Sequence, residues 1–266
     1  MTKIKIATWN INSVRLRAPI VADFINEAAP DILCLQEIKC QTAEFPSKVF
    51  KDLGYNHFVI RGQKGWHGVA IASKIPLTEV EEPKFCMHDH ARVAAAKIGD
   101  SDIIIHNLYV PAGGDIPDAA QNDKFAHKLD FLAQMDAYYK QKMGQYIVVG
   151  DLNIAPHEHD VWSHKALLDV VSHTPIETET LEKLRIDGDL LDIARIAHNM
   201  DEKLYSWWSY RSADWTKNNR GRRLDHIWVS KAIGDKFVPE SYKIHTHARS
   251  WVKPSDHVPI TIEMEI

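Results

Sequence analysis

Asp151 and Asn153 stand two residues apart, directly after the apolar run Tyr146-Ile147-Val148-Val149-Gly150. An acid there can take a proton from water while the amide holds that water, which is the chemistry of hydrolysis. The same spacing also suits an Asx turn closing a strand. Other polar residues sit at the ends of apolar runs in the same way: Asn10, Glu37, Tyr109, Asp225 and His257. Glu37 is a candidate ligand for a hard cation, since Mg²⁺ prefers a few carboxylate oxygens and keeps its waters; taken alone it reads as a cap or a solvated acid. Tyr109 precedes a tight loop marked by Pro111, Gly113 and Gly114, where its phenol can bond a phosphate oxygen or simply edge a core. An Asp can fix one imidazole nitrogen so that the other faces a substrate. If Asp225 and His257 meet in space, they form an orienting dyad of the kind that hydrolases use.

These side chains have to be positioned by the runs they terminate. Lys3-Ile4-Lys5-Ile6-Ala7-Thr8-Trp9 alternates with period two and predicts a strand with one buried face. A helix is expected over residues 19–29, from the spacing of Ile20, Val21, Phe24 and Ile25, followed by a buried strand over 31–36. Further strands are predicted at 57–61, 68–73, 92–98, 103–110, 146–150, 224–229 and 258–263, with helices at 123–143, 179–186 and 190–197. Strands and helices alternate, so the class is α/β; adjacent strands joined by short turns call for mixed rather than purely parallel sheets. In such sheets ligand sites gather where strands end. Nothing reads as a linker or a repeat, and we expect one domain over residues 1–266.

Composition narrows the function. Hydrophobic residues make up 45% of the 266 and charged residues 26%, which excludes disorder as the main theme. No apolar run approaches the ~18 residues of a membrane span. The 32 Lys and Arg against 36 Asp and Glu give a net charge of −4, so contact with a polyanion has to be local. One segment offers it: Arg211, Lys217, Arg220, Arg222 and Arg223 lie among Trp207, Trp208, Tyr210 and Trp215, a mixture suited to phosphates and to an exposed sugar or base. Arg15 and Arg17 are placed to hold an opposite strand. Cys34, Cys40 and Cys86 are odd in number and contain no CxxC, which fits a reducing compartment, and we read them as packing residues. The chain starts at once on a strand pattern, so a cytoplasmic, bacterial protein is expected. The pairs His157/His159 and His245/His247 are weak as metal sites, having no evident third ligand.

Taken in order, Thr8-Trp9-Asn10-Ile11-Asn12-Ser13, Leu35-Gln36-Glu37-Ile38-Lys39, Asn107-Leu108-Tyr109-Val110-Pro111, Gly150-Asp151-Leu152-Asn153-Ile154-Ala155, Arg223-Leu224-Asp225-His226 and Ser255-Asp256-His257 resemble the exonuclease III family of AP endonucleases. The segment Tyr205-Ser206-Trp207-Trp208-Ser209-Tyr210-Arg211-Ser212 points to that DNA-repair branch within a wider superfamily of phosphatases and phospholipases. The resemblance implies a four-layer αββα sandwich, two mixed sheets face to face with helices outside, and a cleft at one end. It implies Mg²⁺, with Mn²⁺ as a substitute, near Asn10, Asn12, Glu37, Asp151, Asn153, Asp256 and His257. Asp151 is similar to the residue that activates water and Asn153 to the one that orients it; Tyr109 and His257 would contact the phosphate, and Asp225 would hold His257. Which of Asp151 and His257 is the base stays open. Lys39 and Arg92 match positions near the metal and the DNA backbone, Trp207 and Leu224 match the abasic-sugar pocket, and Arg211, Arg220, Arg222 and Arg223 would face DNA. Arg222 stands where the family is commonly apolar, and the loop Ala112-Gly113-Gly114-Asp115 lacks the polar or basic residues that some relatives insert into the duplex. The implied activity is incision 5′ to abasic sites and clearing of 3′ ends on double-stranded DNA, by a monomer with no membrane partner. The competing readings are a phosphatase or phospholipase on inositol phosphates or lipids, and a DNA-binding scaffold without catalysis.

Overall fold

The strand Lys3–Asn10 (β1) sets the pattern that the molecule repeats. Successive side chains of a strand point to opposite faces. Ile4 and Ile6 enter one apolar cluster, whereas Ala7 and Trp9 enter another, so both faces are buried. The helix Val14–Ala28 carries the chain across to Ile32–Gln36 (β2), which pairs parallel with β1. The computed structural model describes residues 2–141, 144–211 and 214–266. In chain order the next strands are His57–Arg61 (β3), Val69–Ser73 (β4), Leu77–Glu79 (β5), Val93–Ile98 (β6), Ile103–Tyr109 (β7) and Gln145–Asp151 (β8). They are followed by Leu190–Asp192 (β9), Trp207–Trp208 (β10), Gly221–Arg222 (β11), Asp225–Ser230 (β12), Lys243–Ile244 (β13) and Ile260–Glu265 (β14).

Two six-stranded mixed sheets result, ordered β13-β14-β1-β2-β4-β3 and β5-β6-β7-β8-β12-β9. Each is antiparallel apart from one parallel pair with a helical crossover: β1 and β2 in the first, β7 and β8 in the second, the latter joined through the helix Asp123–Gln141. Between the sheets lies an apolar core to which β1 gives Ile4 and Ile6, β7 gives Ile103 and Ile105, and β8 gives Ile147 and Val149. The outer face of the first sheet packs on Val14–Ala28, through Val21, Phe24 and Ile25. That of the second packs on Asp123–Gln141 and Pro175–Asp187, through Phe131, Leu132, Leu181 and Leu184. This is the expected α/β four-layer αββα sandwich. No helix of the described residues is long and apolar enough to cross a membrane.

Three expectations change. The first helix begins at Val14 and holds Pro19 inside it, not at its start. A proline there forfeits the N–H bond one turn back and crowds that carbonyl, a cost the helix carries because its apolar face is buried through Val21, Phe24 and Ile25. Residues 190–197 are not one helix: Leu190–Asp192 pairs with Trp228–Ser230 at the sheet edge, and the Asp192 side chain then caps the short helix Ile193–Ala197. The predicted helix 123–143 is seen to Gln141, and its last two residues lie outside the described ones.

Candidate active site

The inter-sheet face turns polar at one end by continuing the same alternation. After Ile4 and Ile6 come Thr8 and Asn10; after Ile103 and Ile105 come Asn107 and Tyr109; after Ile147 and Val149 comes Asp151. Strand pairing sets Asp151 beside both Tyr109 and Asp225. The chain leaves β2 and β8 through residues at positive φ, Glu37 at 50° and Asn153 at 54°, which turns their side chains back to the cleft. Gly150 permits the tight register: a Cβ there would lie 1.9 Å from the Leu108 carbonyl oxygen.

The result is a connected set. His257 Nδ1 lies 2.7 Å from Asp225 Oδ2, and its Nε2 lies 3.7 Å from Asp151 Oδ2. Asn10 Nδ2 donates to Glu37 Oε1 and to Asp151 Oδ2, each at 2.9 Å. Tyr109 donates its hydroxyl to Glu37 Oε1 at 2.8 Å, and Lys39 Nζ meets Glu37 Oε2 at 2.7 Å. Asn153 holds Asp151 twice, from its backbone N–H at 2.9 Å and its side-chain amide at 3.2 Å. Asp256 accepts from Asn12 at 3.1 Å and from the Trp207 indole at 3.0 Å. Asn10, Asp151, Asp225 and His257 are all buried.

Burial disfavours a charged carboxylate and raises Asp151; the Asp225 and Glu37 charges add to this, and His257 opposes it. Burial alone would lower His257, but the Asp225 and Asp151 carboxylates outweigh it and keep the imidazole protonated well above its usual range. Burial, with Glu37 and Asp151 close by, holds the Tyr109 phenol well up, so it stays a neutral donor. Burial also works to raise Glu37, yet Lys39 and the Asn10 hydrogen bond bring it below the ordinary value. The donor set is oxygen-rich, and one buried oxygen, Asp225 Oδ1, has no partner among the described residues. Such an excess of carboxylate oxygen over cationic side chains suits a hard divalent ion.

Beside His257 opens a pocket of about 710 Å³, lined by Trp162, Trp207, Trp208, Trp215, Arg211, Arg220 and Arg222, with Gly114 and Asp115 on its rim. Trp207 joins pocket to cleft, since its backbone bridges His257 and its indole holds Asp256. Arg220 stacks over Trp162 at 4.6 Å and Arg222 over Trp207 at 5.3 Å. Arg222 also donates to the Val171 carbonyl and to Ser172.

Four expectations about DNA-facing residues are corrected. Arg223 is fully buried and binds Asp160 at 2.7 Å and Asp192 at 2.8 Å. Leu224 is buried beneath the pocket with Ala155, Val161 and Leu167 rather than lining it. Arg92 is buried, lies 4.8 Å over the Tyr109 ring and donates to the Tyr109 carbonyl, so it positions that tyrosine. Arg17 is likewise buried and donates to Tyr210 and to the Lys253 carbonyl. In each case the side chain is buried by partners distant in sequence, which composition alone does not reveal.

Some contributors went unread. Ser255 donates to the Asn10 carbonyl at 2.7 Å and accepts from the His257 backbone, fixing one strand end to the other. Gln36 donates to Thr8 within its own sheet at 2.9 Å and to Asn107 of the other sheet at 2.7 Å. Lys128, buried against Glu177, donates to the Asn153 carbonyl at 2.8 Å. Of these only Gln36 stands in a strand, where the switch from apolar to polar at its end is a signal; Ser255 in a loop and Lys128 in a helix carry none. His157 and His159 gather no third ligand among the described residues, whereas His245 and His247 come together with Glu27.

Residues 7–257 match the model of the Endonuclease/Exonuclease/phosphatase family, and the chain belongs to that family. Within it, the chain is 31% identical to exodeoxyribonuclease III of Haemophilus influenzae, covering 98% of this chain and 100% of that protein. The structure of an AP endonuclease from Archaeoglobus fulgidus superposes with a TM-score of 0.87 at 31% identity, covering 99% of this chain and 100% of the other. A 3′ phosphatase from Neisseria, solved bound to product DNA hairpin, gives 0.88 at 29% identity, again over 99% and 100%.

Proposed function

We propose that this chain is a Mg²⁺-dependent DNA-repair hydrolase that cuts the phosphodiester 5′ to abasic sites and removes nucleotides or blocking groups from 3′ ends. It acts as a cytoplasmic, single-domain monomer on double-stranded DNA. The observation that carries this reading is the Asp225–His257–Asp151 array sharing one cleft with Glu37 and opening onto a pocket of indoles and guanidinium groups. A substrate of phosphates and an unstacked sugar or base matches that pocket.

Glu37 would hold the ion, with Asn10 and Asp256 on the same side, and Mn²⁺ would serve in its place. When bound, the ion supplies charge stabilisation at the phosphoryl group and the leaving 3′ oxygen. His257, kept cationic by two carboxylates, donates Nε2–H to a phosphate oxygen and is a poor base. Asp151, raised by burial and by its neighbours, takes the proton from the attacking water, and Asn153 fixes its orientation. Tyr109 adds a neutral O–H donor where negative charge develops. Arg211, Arg220 and Arg222 hold the backbone beside the lesion, and Trp207 packs against the exposed sugar.

The test is an oligonucleotide panel: an abasic duplex, a recessed 3′-hydroxyl and a 3′-phosphate, each with and without chelator. Incision on the 5′ side of the abasic site, abolished by chelator and restored by Mg²⁺, supports the proposal. Release of phosphate from inositol polyphosphates without nicking of DNA would refute it.

A further inference from the structure

A second cluster of ligating groups lies away from the cleft. Between β5 and β6 the chain runs without helix or strand from residue 80 to 92 and carries Cys86, His88 and His90 at alternate positions. Facing it is His127, in the second turn of the helix Asp123–Gln141. One ligand atom each from Cys86, His90 and His127 falls within 4.8 Å of the others. Cys86 Sγ is 3.2 Å from His127 Nε2. A sulfur and a nitrogen bound to one tetrahedral Zn²⁺ sit roughly 3.5 Å apart, given bonds near 2.3 and 2.0 Å. Two imidazoles on such an ion have ring centres roughly 5 Å apart by the same geometry. Here His90 and His127 are at 5.7 Å, His88 and His90 at 5.4 Å, and His88 and His127 at 4.5 Å. His90 Nδ1 is buried with no hydrogen-bond partner among the described residues, a lone pair or N–H left unused.

We infer that Cys86, His90 and His127, with His88 beside them, form a second metal site that takes a borderline-soft ion of the Zn²⁺ class and clasps residues 80–92 to the helix Asp123–Gln141. The ligand chemistry separates it from the cleft. Thiolate and imidazole select zinc-class ions, whereas the carboxylates and amides around Glu37 select hard ones. The cluster of Glu27, His245 and His247 has no sulfur, and Cys34 and Cys40 are buried elsewhere. A sulfur–metal signal therefore reports on this site alone. Cys86 packs on the apolar cluster beneath the helix, as expected of a packing residue, and its thiol in addition faces an imidazole.

The experiment titrates the untagged, chelator-stripped full chain with Co²⁺ and follows thiolate-to-cobalt charge-transfer absorption, then displaces the cobalt with Zn²⁺. One equivalent is expected to produce the band, and Zn²⁺ to abolish it stoichiometrically and raise the Tm. Cys86→Ser should lose the band and the Tm response while keeping its circular dichroism and its Mg²⁺-dependent nicking. His127→Gln should weaken binding at least about tenfold. No band in the folded parent, a band surviving in Cys86→Ser, or unchanged affinity in a folded His127→Gln would overturn the site.

Discussion

Asp225 reaches only the inner nitrogen of His257, and on the proposed mechanism this one contact decides how the imidazole is used. With Nδ1 held at 2.7 Å, the other nitrogen points at Asp151 and the cleft. An orienting pair acts as a unit, so its two members should not contribute independently. Asp225→Asn and His257→Asn are each expected to slow single-turnover incision of an abasic duplex by roughly 10²–10⁴-fold. The double variant should be scarcely slower than the worse single one; losses that multiply would show two separate roles. At Tyr109 the loss is smaller. One hydrogen bond to a charged group is worth about 1.5–3 kcal/mol, so Tyr109→Phe, losing such a bond to the transition state, should lower kcat by roughly 10–10²-fold.

The strand ends carry the lesson about elements. The runs that end in Asn10, Glu37, Tyr109 and Asp151 were readable because apolar alternation and its abrupt stop are local signals. Asp225 and His257 were readable as an Asp and a His at strand entrances, but their meeting depends on how two sheets stack. Arg223 was misread for the same reason: in sequence it resembles its exposed neighbours Arg220 and Arg211, and only the folding of the link between β11 and β12 against Asp160 and Asp192 turns it inward. Breaking a buried ion cluster from one side leaves unpaired charge and costs about 3–5 kcal/mol. Arg223→Ala should therefore lower the urea midpoint strongly; unchanged stability with raised KM for DNA would restore the DNA-contact reading. Strands β9, β10, β11 and β13 are two or three residues long and escaped notice, because so short a run carries no period. Gly150→Ala would drive a methyl group onto the Leu108 carbonyl at a positive φ, and should cost more than about 1 kcal/mol by denaturant titration.

For the whole molecule, two sheets, each with one parallel pair and its helix, bring both strand-end clusters to a single mouth. The charge clusters inside that frame set its acid limit. Burial opposes the ionised forms of Asp160 and Asp192, but Arg223 outweighs it and holds both below the ordinary range. The unfolded chain then binds more protons than the folded one as these groups titrate. Their stabilisation is fully present above the unfolded value of about 4 and is lost as pH falls through the depressed folded values. Urea midpoints measured from pH 7 down to pH 2 should fall, and Asp160→Asn should start lower at pH 7 and decline less steeply. A steeper decline in the variant would contradict this assignment. With a net charge of −4, the proposed contact with DNA has to be local, at the Arg and Trp pocket beside the cleft. The most direct test is single-turnover incision of an abasic duplex at saturating Mg²⁺ by the parent and by a folded Asp151→Asn chain. The account predicts a cut on the 5′ side and a variant slower by at least about 10²-fold; equal rates would contradict it.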